Sequence, residues 1–158
     1  MTLSPSSQKV QEALTKLGIS AKIIELPQTT RTAAEAAAAL KCDVSQIAKS
    51  IVFEGESGKG ILVIASGKNR INEEIISAIV GEQIKKASAE FVRNKTGFVI
   101  GGVPPLGHLN PMKVLIDEDL LKYDKVWTAG GTPNAVFSIS MRDLLTAISA
   151  IIARIGQN

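Results

Sequence analysis

The chain has 158 residues, 45% hydrophobic and 21% charged, with a formal net charge of +3. That length and apolar share suit one domain, residues 1–158, with a sizeable core, and the mild basicity eases approach to a polyanion without identifying one. A single cysteine excludes an internal disulfide and any multi-cysteine metal site, and 4% aromatics argue against a base-stacking platform.

In chain order, Val10, Leu14 and Leu17 fall on one face and predict a helix over 6–17, with Gly18 as its stop. "AKIIEL" reads as a short strand. Thr32 and Glu35 have capping-box spacing ahead of "AAEAAAAL", a helix whose alanines allow close packing. "IAKSIVFE" and "GILVIAS", joined by "GESGK", predict a hairpin. Asn72 and Gly81 bracket a third helix, and Ser88 and Gly97 a fourth. "KVLID", "KVWTA" and "AVFSIS" read as strands. Ser140 and Asp143 then open a last helix with an apolar stripe of Leu144, Leu145, Ile148, Ile151, Ile152 and Ile155. Helices and strands mix without strict alternation, which implies an α/β domain on a mixed sheet. "LLTAISAIIARI" is shorter than the roughly 20 apolar residues a membrane span needs. The N-terminus lacks the apolar core of a signal peptide, so a cytoplasmic protein with no membrane partner is expected.

The side chains available for chemistry are few. Cys42 and His108 could form a nucleophilic pair, but Asp43 beside Cys42 disfavours a thiolate. Glu73, Glu74 and the acids 117–119 sit at expected helix starts, where they complement the helix dipole. No Walker lysine or G-x-S-x-G elbow is present. Attention therefore moves to the main chain. "GGVPPLGH", Gly101 to His108, brings backbone close to a ligand through its glycines and fixes it with its prolines. Such a loop can aim N–H groups at an oxyanion, or it can be a tight structural turn. Lys49 sits on a strand whose alternation puts Ile51 and Phe53 on its side; it either faces a cleft or lies on an edge with its head in water. "AGGTPNAVF", Ala129 to Phe137, is a second Gly-Pro loop or a plain hairpin connection.

These stretches, in this order, resemble the YbaK/prolyl-tRNA-synthetase-associated domain family. The resemblance runs from "TRTAAEAAAAL" through "CDVSQIAKSIVFE" and "GGVPPLGH" to "AGGTPNAVFSIS". It implies a compact α/β domain around a curved mixed sheet with packed helices. It also implies hydrolysis of the ester joining a small wrong amino acid to tRNA, with proline tRNA as the leading carrier, without metal or organic cofactor. The family's lysine falls on Lys49, meeting the phosphate or sugar of the tRNA 3′ end. Its glycine-x-x-x-proline loop falls on Gly101, Gly102, Val103, Pro104 and Pro105. Its later loop falls on Gly130, Gly131, Thr132, Pro133 and Asn134, along the amino-acid pocket. His108 is left open as a base, a substrate-binding group or a structural hydrogen-bonding partner. The adjacent prolines are a departure, since the residues inside this motif vary among members. Subfamilies take alanyl, cysteinyl, and seryl or threonyl esters, and the sequence selects none. The implied partners are aminoacyl-tRNA and an aminoacyl-tRNA synthetase, with the oligomeric state unassigned. Lys68, Arg70, Lys85, Lys86, Arg93 and Lys95 are either tRNA contacts or solvated surface. A non-catalytic module binding aminoacyl-tRNA, a nucleotide or a synthetase is the rival reading.

Overall fold

The computed structural model describes residues 3–27 and 32–157. In chain order, α1 (Pro5–Lys16) leads to the two-residue strand β1 (Ile24–Glu25), then α2 (Ala33–Leu40) and the strands β2 (Ile47–Gly55) and β3 (Gly60–Ser66). Short β4 (Arg70–Ile71), α3 (Glu73–Val80), β5 (Ile84–Lys86) and α4 (Ala89–Thr96) follow. Beyond the Gly101 loop come β6 (Lys113–Asp117), β7 (Lys125–Ala129), β8 (Ala135–Ser140), α5 (Met141–Ala147), β9 (Ala150–Ala153) and β10 (Gly156–Gln157).

The main sheet is mixed, in the order β1-β8-β7-β2-β3-β6-β9. β2 and β3 form the expected antiparallel hairpin, from Ala48 opposite Ser66 to Glu54 opposite Gly60. Parallel pairs join β2 to β7, β3 to β6 and β6 to β9. Alternation along the strands sends side chains to two apolar layers. On one face Leu62, Ile64, Ile116 and Phe137 meet Val10 and Leu14 of α1, Val92 of α4 and Leu144 of α5. On the other, Phe53, Ile61, Val63 and Leu115 meet Ile76 of α3 and Ile155. Burial of each such side chain contributes about 1.5–3 kcal/mol. A third, smaller cluster packs Ala36 and Ala37 of α2 on Ile47, with Trp127 beside them. The alanine run thus lets α2 sit close to the end of β2.

Helix boundaries follow their caps. The Thr32 hydroxyl accepts the Glu35 N–H at 3.1 Å while the Glu35 carboxylate accepts the Thr32 N–H at 3.1 Å. Asn72, Ser88 and Ser140 cap α3, α4 and α5, and Gly81 and Gly97 end α3 and α4 with positive φ. The last helix departs from the sequence expectation. It stops at Ala147, Ile148 is extended, and 150–153 form an edge strand parallel to β6. The stripe therefore splits: Leu144 faces one core, Ile155 the other, and Ile151 and Ile152 are exposed. β-branched Ile148, Ile151 and Ile152 lose side-chain freedom in a helix and fit a pleated edge. "AKIIEL" yields only the two-residue β1, and β4, β5 and β10 lie in stretches with no strand expectation. Thr30 and Arg31, which open the motif at α2, lie outside the described residues.

Candidate functional site

The site is set by an interruption in the sheet. On its side away from β3, β2 pairs with β7 only at Ile47 and Ala48 and with β5 only from Phe53 to Gly55. Between these ladders the edge of β2 is open. Ile47 and Gly55 spend main-chain bonds toward β3, and the Val52 carbonyl accepts from Ala87 on the opposite side. By the two-residue alternation, the main-chain groups of Ser50 face the opening. A cavity of about 420 Å³ fills it, within the range of small-molecule sites. Its walls come from β2, α2, β7, Ile100, Gly101, Val103 and Pro133. Two cations, Lys49 and Lys86, line it, and among the described residues no carboxylate does.

Lys49 shares its side of β2 with Ile51 and Phe53, both of which belong to the second apolar layer. Its cross-strand neighbour is Ala65. Burial holds the ammonium below its ordinary pKa; the Asp117 carboxylate pulls it back up, and Lys86 pushes it further down. Asp117 itself is spoken for. It accepts from the Ser66 N–H, the Asn69 side-chain amide and the Asp119 N–H. Among the described residues no carboxylate comes within ion-pair distance of Lys49. A half-buried ammonium without a close anion is poised for one supplied by a ligand.

The two glycine loops meet across the cavity rim. The Gly131 N–H donates to the Gly102 carbonyl at 3.0 Å, and the Gly102 N–H donates to Val99 at 2.9 Å. Gly102 is indispensable to this approach, because a Cβ there would lie 2.8 Å from Cα of Thr132. Gly131 has φ +109, and its Cβ would meet the Ser6 carbonyl at 2.8 Å. The second loop is tied further by the Asn134 amide, which donates to the Leu26 carbonyl, and by Thr132, which donates to the Asn134 side-chain oxygen. Pro104 and Pro105 have no N–H to give. The Gly101 and Val103 N–H groups have no partner among the described residues, and both residues line the cavity.

His108 is not part of the cavity wall. Its Nε2 lies 2.7 Å from the Pro104 carbonyl, so the Nε2–H tautomer donates there and braces the loop. Burial pulls its pKa down, and the bond to Pro104 pulls it back up. Cys42 sits by the α2 cluster, where burial and then Asp43 raise its pKa, the reverse of what a nucleophilic thiol requires. No group of three or more His, Cys, Asp or Glu side chains among the described residues is arranged to hold a metal.

The sequence model described as "Aminoacyl-tRNA editing domain" matches residues 27–147, a span that holds Lys49, both glycine loops and His108. The chain belongs to the aminoacyl-tRNA editing domain family. It is 30% identical over 122 residues to the "Uncharacterized protein YwhH" of Bacillus subtilis, covering 77% of this chain and 78% of that one. It is 32% identical over 102 residues to a proline–tRNA ligase of Thermosipho melanesiensis, covering 64% of this chain but 18% of the ligase. The likeness to the ligase is thus to one part of a much longer enzyme. A crystal structure described as "a putative trans-editing enzyme for prolyl tRNA synthetase" superposes with a TM-score of 0.94 at 47% identity, covering 99% of this chain and 100% of that one.

Set against the family motifs, Lys49, Gly101, Val103 and Pro133 line the cavity directly. Gly102, Gly130, Gly131, Thr132 and Asn134 build and join the loops behind them, and Pro104, Pro105 and His108 stiffen the first loop. Of the basic residues left open, Lys86 lines the cavity. Sequence reasoning missed Ser50, Thr128, Trp127 and the small residues Ala33 and Ala36, which also form the wall. Ser50 adjoins Lys49 in sequence. Thr128 is a hydroxyl inside an otherwise apolar strand run, the one local signal that could have singled it out.

Proposed function

We propose that this protein is a trans-acting aminoacyl-tRNA deacylase that hydrolyses the ester of a small mischarged amino acid, with proline tRNA as carrier. The reading rests on one observation above all: in an editing-domain chain, Lys49, Gly101 and Val103 line one small-molecule cavity, and the Gly101 and Val103 amides have no partner among the described residues. An aminoacyl ester is already activated, so the demands are modest. Water adds to the ester carbonyl, and the oxygen that becomes negative is stabilised by preorganised N–H donors of the Gly101 loop. The carbonyl–oxygen bond to the ribose then breaks. The ribose oxygen takes a proton, leaving free amino acid and tRNA with a terminal hydroxyl. Lys49 supplies positive charge to the phosphate or sugar of the 3′ end, which its anion-poor surroundings favour. Gly102, Gly131 and His108 hold the donors in place.

Hydrolysis by trace protein of proline tRNA charged with alanine, cysteine, serine, threonine, 2-aminobutyrate or proline tests the proposal. Loss of one or more small non-cognate esters with prolyl ester spared supports it. The wall's lack of a carboxylate or imidazole among the described residues favours a second reading, a module that binds aminoacyl-tRNA without cleaving it. Tight binding with every ester intact is the outcome that reading requires.

A further inference from the structure

Two hydroxyls in the cavity wall are without partners. Among the described residues, Ser50 Oγ and Thr128 Oγ1 are buried and make no hydrogen bond, and Thr128 is 1% exposed. They are neighbours in the fold. Thr128 pairs with Ala48 in the parallel ladder, and Ser50 lies two residues further on the same face of β2. The ladder ends at that pair, so Ser50 also brings its own N–H and carbonyl to the opening. Leaving buried hydroxyls unpaired is costly, and native proteins rarely do it without a use. The remaining hydroxyl of this kind, Ser7, is not in the cavity wall.

Apolar side chains of Ala48, Val52, Val92, Val103 and Ala129 line the same cavity. A small apolar side chain would satisfy those residues and leave both hydroxyls unpaired. A side chain ending in a hydroxyl would satisfy both, donating to one and accepting from the other. The substrate's α-ammonium is a poorer occupant. Lys49 and Lys86 already place positive charge in the cavity, and no carboxylate lines it among the described residues. Resting on the deacylase reading, we infer that Ser50 and Thr128 are specificity-determining residues that select the ester of a small hydroxyl-bearing amino acid over its apolar isostere.

The test compares seryl and 2-aminobutyryl esters on the same tRNA, because these side chains differ only by hydroxyl for methyl. In single turnover the seryl ester is cleared about fivefold faster or more, the value of one net hydrogen bond. The ratio of the two rates falls toward one in Thr128→Val and in Ser50→Ala. Because both rates come from one preparation, the ratio is insensitive to the folded fraction. Equal rates in the wild type, or a ratio unchanged in both variants, overturn the selection while leaving the deacylase reading intact. Hydrolysis of neither ester, nor of any other on the panel, overturns both.

Discussion

Gly102→Ala probes the junction on which the site depends. A Cβ at this position would lie 2.8 Å from Cα of Thr132, which is 0.6 Å inside the 3.4 Å where ordinary contact begins. The second obstacle, the Gly131 carbonyl oxygen at 2.9 Å, is also backbone, so no flexible side chain can swing aside. The loops must part, straining the 3.0 Å bond from Gly131 to Gly102. Overpacking of this kind costs about 1–3 kcal/mol. For a chain of this length that lowers Tm by roughly 2–12 °C. The displacement also carries Gly101 and Val103 away from their places in the cavity wall. Since a misplacement of about 1 Å can cost on the order of 10²-fold, a shift of about half that should slow ester hydrolysis about tenfold. Gly101→Ala is the contrast. Its nearest neighbour, Pro133, is an ordinary 3.6 Å away, and the cost is that of φ +88 alone, about 1–2 kcal/mol. Calorimetry with single-turnover deacylation reads both effects, and amide resonances of Gly131 and Thr132 should move in Gly102→Ala and stay put in Gly101→Ala. Wild-type melting and wild-type turnover in Gly102→Ala would refute the reasoning.

Lys49→Met should lower hydrolysis by about 10²-fold or more, as loss of a preorganised charge does. Burial depresses Lys49 in the fold, so the unfolded chain takes the proton first as pH falls from 10.5. Wild-type stability should therefore rise with pH from the depressed value up to 10.5, and denaturation of Lys49→Met across that window should lack the rise. His108 is likewise depressed, mainly by burial, so its share of stability is present above pH 6.5 and lost as pH falls through the folded value. Urea melts of His108→Gln between pH 7 and pH 4 should miss that loss, with activity falling only modestly because the loop brace, not a base, is removed. Cys42→Ala should hydrolyse ester at the wild-type rate; a loss greater than tenfold would reinstate the thiol.

The hairpin, the caps and the three late strands were legible because each rests on local chemistry. Asn72, Ser88 and Ser140 satisfy the first-turn amides of the helices they open, and runs rich in Ile, Val and Phe or Leu mark β2 and β3. The end of the chain was not legible. Leu144 to Ile155 satisfies a helical stripe on paper, but pairing with β6 is a long-range choice that no local pattern records. In the site, Lys49 and the glycine loops stood out by residue type. The gap in the sheet did not, because it depends on where two ladders from distant segments stop. Ser50 and Thr128 were overlooked for the same reason: their hydroxyls become unusual only once burial leaves them unpaired.

Turnover number on mischarged proline tRNA tests the central claim most directly. Protein at one-hundredth of the tRNA concentration is mixed with the small-amino-acid ester panel, and free amino acid released per protein is counted. The deacylase account predicts many turnovers on at least one non-cognate ester and a collapse of that rate in Lys49→Met. Release of no more than one equivalent from every ester by folded, tRNA-binding protein would contradict it.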